Sequence, residues 1–311
     1  MPLRSPPSAV TKDRVIEALD RAVLAAERGA FDSELPELAP SEVAAVSASD
    51  IRPRLDQVLL AEHPGEGLDA LLATGLLRTL FPEVTAMVGF GDGEWRHKDV
   101  WRHTKQVVAQ AAPRVEVRWA ALFHDIGKVK TRSVSPDGEV HFFGHAEVGA
   151  RMFDRLERRM RLFTRDNSLR STIRFLILHH LRASQYDGSW TDSAVRRFAR
   201  EIGGELDNLL CLSRADITTK RAEKRRRGVG LINELSARIS ALAAEDAQVP
   251  PLPTGLGNAL MEQLGIGPSR LIGDIKRTLE VVIAEGQLEP QRDSAYYVEY
   301  VLAHRDRLGL P

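Results

Sequence analysis

Apolar residues recur three and four positions apart along most of the chain, the spacing that gives a helix one apolar face. It predicts helices over about 12–29, 41–62 and 66–80, punctuated by Pro36, Pro40, Pro64 and Pro82. A second series is predicted over about 97–112, 115–127, 145–162, 167–183, 191–202, 205–220 and 228–246. A third covers about 256–264, 268–285 and 293–307. Residues 1–11 read as a flexible lead, and TRSVSPDGEVHFFGH (131–145), with Pro136-Asp137-Gly138, reads as a loop or short hairpin. Pro250, Pro251 and Pro253 interrupt the pattern. The expected fold is all-α: a helical, neck/body-like region over 1–95, a compact helical core over 96–248 and a small helical C-terminal tail over 249–311. There is no short-period repeat and no low-complexity tract.

Composition narrows the class. The 311 residues are 43 % hydrophobic and 28 % charged, ordinary globular values that exclude wholesale disorder and fibre. No apolar run approaches the ~20 residues of a membrane span. The start, MPLRSPPSAVTKDR, lacks an apolar h-region, so no secretory signal is expected. Cys211 is the single cysteine. One thiol makes neither an internal disulfide nor a Cys-based zinc site, so a cytoplasmic protein is expected, with His and Asp as the available metal ligands. The formal net charge is +0, but residues 151–227 hold 19 Arg/Lys against 10 Asp/Glu, leaving −9 on the rest. Arginine forks suit phosphate, so a basic middle invites an anionic partner such as RNA or a nucleotide. A solvated Arg/Glu helix surface explains any one such stretch as well.

Chemistry enters with histidines and aspartates on apolar helix faces. Val100, His103, Thr104 and Val107 share one face, as do Ile173, Leu176, Ile177 and His180. Leu209, Leu212, Ser213 and Asp216 form a third, and His145, Val148, Gly149, Met152 and Phe153 a fourth. His124 and Asp125 close the apolar run WAALF (119–123). Five segments thus aim polar groups at the core, where an unpaired one costs about 2–7 kcal/mol. A single such histidine reads as a hydrogen-bonded core residue. Five together read as divalent-metal ligands, and neutral imidazole with carboxylate suits Mn, Fe, Co, Ni or Zn better than Ca. An aspartate can bridge two cations ~3.5–4 Å apart, an arrangement that activates water and clamps phosphate.

The order His103, His124-Asp125, His145, His179-His180, Asp216 resembles the H…HD…D signature of the HD-domain metal-dependent phosphohydrolase superfamily, and HisAspIleGlyLys (124–128) is similar to its HDxGK variant. The resemblance implies that residues 96–248 are the HD domain, with metal ligands His103, His124, Asp125 and Asp216. It puts second-metal histidines at His145 and His180, with His179 as the alternative to His180. Further stretches resemble the body and tail of bacterial CCA-adding tRNA nucleotidyltransferases: HPGEGLDALL (63–72), FPEV (81–84), RHKDVWRHT (96–104), WTDSAVRRF (190–198), RADITTK (214–220) and ALMEQLGIGPS (259–269). That family's polymerising head lies N-terminal to such a body. Only about 40 residues precede the match, with no paired carboxylates on an apolar strand, so the chain is not expected to add CCA by itself.

The expected function is a metal-dependent phosphohydrolase acting on phosphate esters of nucleotides or RNA ends, of the 2′,3′-cyclic phosphodiesterase or phosphatase type, through metal-activated water. Its cofactor is one or two divalent ions: Mn, Fe, Co, Ni or Zn, with Mg a further candidate. Asp125 and Lys128 are the catalytic candidates, Lys128 as a point charge on a phosphate oxygen. Its bland reading is a surface lysine after a helix-ending Gly127. Lys128, Arg182, Lys220, Arg221, Lys224 and Arg225 are the substrate- or RNA-contact candidates, with Lys130 and Arg132 weaker ones. For KRAEKRRRG (220–228), the bland reading is a solvated helix end whose cations favour the C-terminal dipole. Trp101, Trp119, Phe123, Phe142, Phe143 and Trp190 read as core or pocket wall, and His63, His97, His141 and His304 as surface or structural residues. Expected partners are a nucleotide or RNA, tRNA included, and a separate nucleotidyltransferase head protein; no membrane is expected. Two alternatives stay open: a non-catalytic tRNA-binding or assembly module, and a di-iron HD-fold oxygenase.

Overall fold

The structure is a computed structural model that describes residues 9–31, 37–91, 99–247 and 250–305. The expectations placed on the lead residues 1–8, on Pro36 and on His97 lie outside the described residues. The chain divides into two compact units, residues 1–240 and 241–311. Regular structure is almost wholly helical, so the all-α expectation holds.

The first unit opens with α1 (Ala9–Arg28), α2 (Pro40–Val43), α3 (Ala48–Leu60), α4 (Pro64–Ala73), α5 (Leu76–Leu80) and α6 (Pro82–Thr85). Pro40, Pro64 and Pro82 each occupy the first turn of a helix, where no amide hydrogen is needed. Two long helices expected here are broken. The 41–62 stretch is interrupted before Ser47, whose hydroxyl accepts from Asp50 N and restarts the chain as α3. The 66–80 stretch breaks at Gly75, with φ 75°, between α4 and α5.

The site-bearing helices follow: α7 (Val100–Gln110), α8 (Val115–Phe123), α9 (Lys128–Thr131), α10 (His145–Met160), α11 (Asn167–His179), α12 (Asp192–Ile202), α13 (Leu206–Ala215) and α14 (Ala222–Ala247). The hairpin reading of 131–145 is realised as β1 (Ser133–Val134) antiparallel to β2 (Val140–His141), with Ser133 opposite His141. Asp99 caps α7 by accepting from Arg102 N, and Asp166 caps α11 by accepting from Leu169 N.

α8 is buried from Val117 to Phe123 and packs against α7, α11 and α13, while α10 packs on α11. A helix apolar all round belongs in the middle of a core. Beside it Phe81, Trp119, Phe123, Phe153 and Phe163 meet edge-on, tilted or stacked, with centroids 5.2–6.1 Å apart. The one charged residue in that buried run, Arg118, donates to the carbonyls of Ala111, Leu59 and Ala61 at the C-terminal ends of α7 and α3. Those unpaired carbonyls carry the negative end of each helix dipole, which suits a buried guanidinium.

The expected helix over 115–127 ends early, at Phe123, and residues 124–127 turn against α10. Gly127 has ordinary helical φ and ψ (−68°, −23°), so it is not needed as a helix stop. It is glycine because of crowding: a Cβ there would overlap the His145 carbonyl oxygen and lie 2.7 Å from the Gly149 amide nitrogen. The expected helix over 205–220 ends at Ala215, followed by β-branched Ile217, Thr218 and Thr219. The basic run therefore sits mainly in the first turns of α14, not at a helix C-terminus. Its cations do not gain from a C-terminal dipole as expected.

The second unit holds α15 (Leu256–Leu264), α16 (Arg270–Ala284) and α17 (Ser294–Ala303). They enclose Leu256, Leu260, Ile275, Leu279, Tyr297 and Val301. Tyr297 donates its hydroxyl to Glu289 O at 2.8 Å, satisfying the polar end of a buried ring.

Gly127→Ala should unfold the first unit at lower temperature, because the methyl meets backbone atoms that cannot rotate away. Overpacking costs about 1–3 kcal/mol, or roughly 2–4 °C per kcal/mol for a domain this size. Gly65→Ala, with nothing within 4 Å of the added carbon, is the control and should unfold like the wild type in a thermal melt.

Candidate metal centre

His124 and Asp125 follow the last turn of α8 at the edge of the aromatic core; His124 is 0 % and Asp125 1 % exposed. Around them α7 brings His103, the start of α10 brings His145, the end of α11 brings His180 and the end of α13 brings Asp216. Gln110 of α7 donates to Ala215 O at 2.7 Å and so ties down the end of α13 next to Asp216.

Asp125 divides its two oxygens between two groups of histidines. Oδ2 lies 3.2 Å from His124 Nε2 and 3.4 Å from His103 Nε2. Oδ1 lies 3.5 Å from His145 Nε2, which is itself 3.1 Å from His180 Nε2. Asp216 Oδ1 joins the first group, 3.0 Å from His103 Nε2 and 3.5 Å from His124 Nε2. His103, His124 and Asp125 therefore form one set able to hold a cation, and Asp125, His145 and His180 form another.

The opposite ring nitrogens explain why the Nε2 atoms converge. Nδ1 of His124, His145 and His180 lies 2.8 Å from the carbonyl oxygens of Ala121, Phe142 and Ile177. A carbonyl has no proton, so each Nδ1 must donate. A neutral ring then presents Nε2 as a bare lone pair. His145 and His180 point two such lone pairs at each other across 3.1 Å. A cation between them turns that repulsion into coordination. Ligands ~2.0–2.1 Å from one tetrahedral ion stand about 3.3–3.4 Å apart, close to the spacings here. The donor set fits a divalent metal.

Burial opposes a charge on His124, but the Asp125 and Asp216 carboxylates outweigh it and push its pKa up to about 10. His180 goes the other way, down to about 4, through burial and then the charge on His124. Both aspartates are held well below the usual carboxylate range. Burial alone would raise them, but the charge and hydrogen bonds of His124 and His103 prevail. Burial opposes a charge on His103 too, but its hydrogen bonds to Asp125 and Asp216 raise its pKa, so the carboxylates favour positive charge on His103 and His124 and leave His180 neutral.

The remaining sequence candidates divide. Lys128 is half-buried, not a free surface lysine, and its Nζ donates to Asp125 Oδ2 at 2.6 Å. His179 stays outside: consecutive helical residues point about 100° apart, and its ring packs on Phe175 with centroids 4.3 Å apart. Arg182 is drawn away by an ion pair with Glu201 at 2.6 Å and lies over the Phe198 ring. A cleft of about 880 Å³ adjoins the centre, lined in part by His103, Lys128, Asp216, Lys220 and Arg221. Lys224 and Arg225 do not line it; Arg225 instead donates to Gln110 Oε1 at 3.3 Å. Lys130 and Arg132 are exposed and outside the lining. Phe143, expected in core or wall, is 77 % exposed, with His141 stacked on it. His63 begins α4 against Gly29, and His304 stacks on Tyr300.

Sequence reasoning gave no role to Arg102, Gln106 or Thr218, nor did it place Phe142 specifically at this cleft. Arg102, Phe142 and Thr218 each adjoin or nearly adjoin a ligand in sequence, but helical periodicity marks core-facing positions and does not find the walls of a cleft.

Residues 100–221 match the family described as HD domain. The protein is also 28 % identical over 256 residues to an A-adding tRNA nucleotidyltransferase of Deinococcus radiodurans, a match covering 80 % of this chain and 57 % of the relative. It is 28 % identical over 258 residues to a CC-adding tRNA nucleotidyltransferase of Thermus thermophilus, covering 80 % of this chain and 56 % of that one. The matched region spans little more than half the length of these relatives. All the groups of the centre, from His103 to Asp216, lie within the residues that match this family.

Two outcomes follow for the centre. Asp125→Asn should abolish tight uptake of Mn²⁺ or Zn²⁺, His180→Ala should remove the contribution of the second set, and His179→Ala should leave metal content unchanged. Elemental analysis after chelation and reloading checks all three. With its raised pKa, His124 is protonated at neutral pH, so a cation must displace a proton. Metal affinity should therefore rise about tenfold per pH unit between roughly pH 6 and 8, measured by chelator competition. A flat profile would contradict the raised His124.

Proposed function

We propose that the protein is a metal-dependent phosphohydrolase acting on phosphate esters of nucleotides or RNA ends, of the 2′,3′-cyclic phosphodiesterase or phosphatase type. The observation that carries this reading is Asp125, which turns one carboxylate oxygen to each of two histidine sets beside a cation-lined cleft. His103, His124, Asp125 and Asp216 would hold one divalent ion, and Asp125, His145 and His180 a second. Mn, Fe, Co, Ni, Zn and Mg are the candidates. Bound there, such ions supply Lewis-acid activation of water and neutralise phosphate charge.

The chain's own residues do the rest. In hydrolysis water oxygen bonds to phosphorus, the ester P–O bond breaks and the departing oxygen takes a proton. Lys128, half-buried at the cleft, meets negative charge on the phosphate as an ammonium. Arg102, Lys220 and Arg221 on the cleft wall attract the anionic ester, and Val140 and Phe142 give the same wall an apolar stretch. A cleft of about 880 Å³ is roomy enough for a nucleotide or an RNA terminus. No described helix is long and apolar enough to cross a membrane, which is compatible with a cytoplasmic enzyme.

The relatives are named for tRNA, which supports the tRNA link of a second reading, a tRNA-binding or assembly module without catalysis. One experiment separates the two. The metal-loaded protein should release phosphate or open the ring on a panel of 2′,3′-cyclic nucleotides, nucleoside monophosphates and tRNA, and Asp125→Asn should abolish this. Lys128→Ala should lower kcat/KM by about 10²-fold or more, the scale of one charged transition-state contact. Binding of tRNA that survives Asp125→Asn, with no turnover by the wild type under any metal, would favour the module instead.

A further inference from the structure

The four inward histidines are not oriented alike. His124 and His180 cap the C-terminal ends of α8 and α11, and His145 begins α10. Helix ends leave carbonyls unpaired. His124 and His180 use such carbonyls and His145 uses one in the turn before its helix, so each is oriented by backbone three residues earlier. His103 sits within α7, where the helix's own hydrogen bonds take up nearby carbonyls. Its Nδ1 instead lies 2.9 Å from Thr218 Oγ1, a side chain 115 positions away.

We propose that Thr218 is a positioning residue for the metal centre. Its hydroxyl accepts the Nδ1–H of His103 and fixes the tautomer that leaves Nε2 as a lone pair beside Asp125 and Asp216. The inference rests on the metal-binding reading of the cluster and goes beyond it. Thr218 lies in the loop after Asp216, which also places Thr219, Lys220 and Arg221 on the cleft wall. One short segment thus carries a ligand, the orienting group of a second ligand and two cations of the substrate wall. A partner outside the first ring of ligands typically governs metal affinity because a ring free to turn, or protonated on the wrong nitrogen, binds poorly.

The test uses the full chain and Co²⁺, read by chelator competition and by the visible absorption of the bound ion. Thr218→Val keeps the shape and removes the acceptor. It should weaken Co²⁺ binding by about 10–100-fold and alter the spectrum. Thr218→Ser restores a hydroxyl and should restore both. Thr219→Val, one residue on, with its hydroxyl near Arg221 N and not near a histidine, should leave both unchanged. Wild-type affinity and spectrum in Thr218→Val would overturn the proposal, as would a Thr218→Ser variant as impaired as the valine one. A wild-type chain that takes up no Co²⁺ would overturn the metal reading along with it.

Discussion

Asp125 is a carboxylate with almost no contact with water, placed where five segments of the chain meet. Burying an ionised carboxylate without compensation costs several kcal/mol. The surroundings are arranged accordingly: His103, His124 and Lys128 face one oxygen, and His145 faces the other. Each comes from a different helix or turn, so stabilising this one charge fixes how α7, α8, α9 and α10 approach each other. Asp216 repeats the pattern at the end of α13 through His103 and His124. The charges are balanced as a group, and deleting one partner leaves the others buried and unpaired.

The group stays in place because its supports are rigid. On one side lies the aromatic cluster around Trp119 and Phe123, where the Trp119 indole donates to Asp56 at 2.6 Å and the Arg52 guanidinium lies over the Phe163 ring. On another, the turn 124–127 presses against the first turn of α10 so closely that only glycine fits at 127. α8 is fastened at both ends. Arg118 holds it to the ends of α3 and α7 by three hydrogen bonds to carbonyls, and its C-terminal turn enters the site. Small displacements of any support would move the imidazoles by a sizeable part of a coordination bond.

How much of this can be read in the sequence depends on what periodicity encodes. Helix faces are legible, because apolar spacing marks the buried side; hence the sequence alone sets His103, His180 and Asp216 inward. The choice between His179 and His180 is a matter of helical phase, and the Ile173, Leu176, Ile177 stripe already favours His180. Helix ends were less legible. A run such as 115–127 looks continuous because nothing local stops it; the stop comes from α10, distant in sequence, pressing on Gly127. For the same reason Gly127 passes for a helix terminator when its role is close approach. Arg182 and Phe143 show the limit from the other side. Their side-chain directions are set by Glu201 and His141, partners that composition cannot rank.

The end of α13 and the start of α14 show where local stability gives way. Lys224, Arg225, Arg226 and Arg227 crowd the first turns of α14, with Glu223 the single acidic residue there. Cations at the positive end of a helix dipole cost a few tenths of a kcal/mol each at an exposed surface. Shifted to the far end of the same helix, these charges would stabilise it. The preceding loop makes a similar concession, since Ile217, Thr218 and Thr219 end a helix that could have run on. What the loop gains is position: Thr218 reaches His103, and Lys220 and Arg221 reach the cleft, whereas Lys224 and Arg225 stay outside its lining. A chain that ends a helix early just after Asp216, and so brings Thr218 to His103, is organised there around the site more than around the helix.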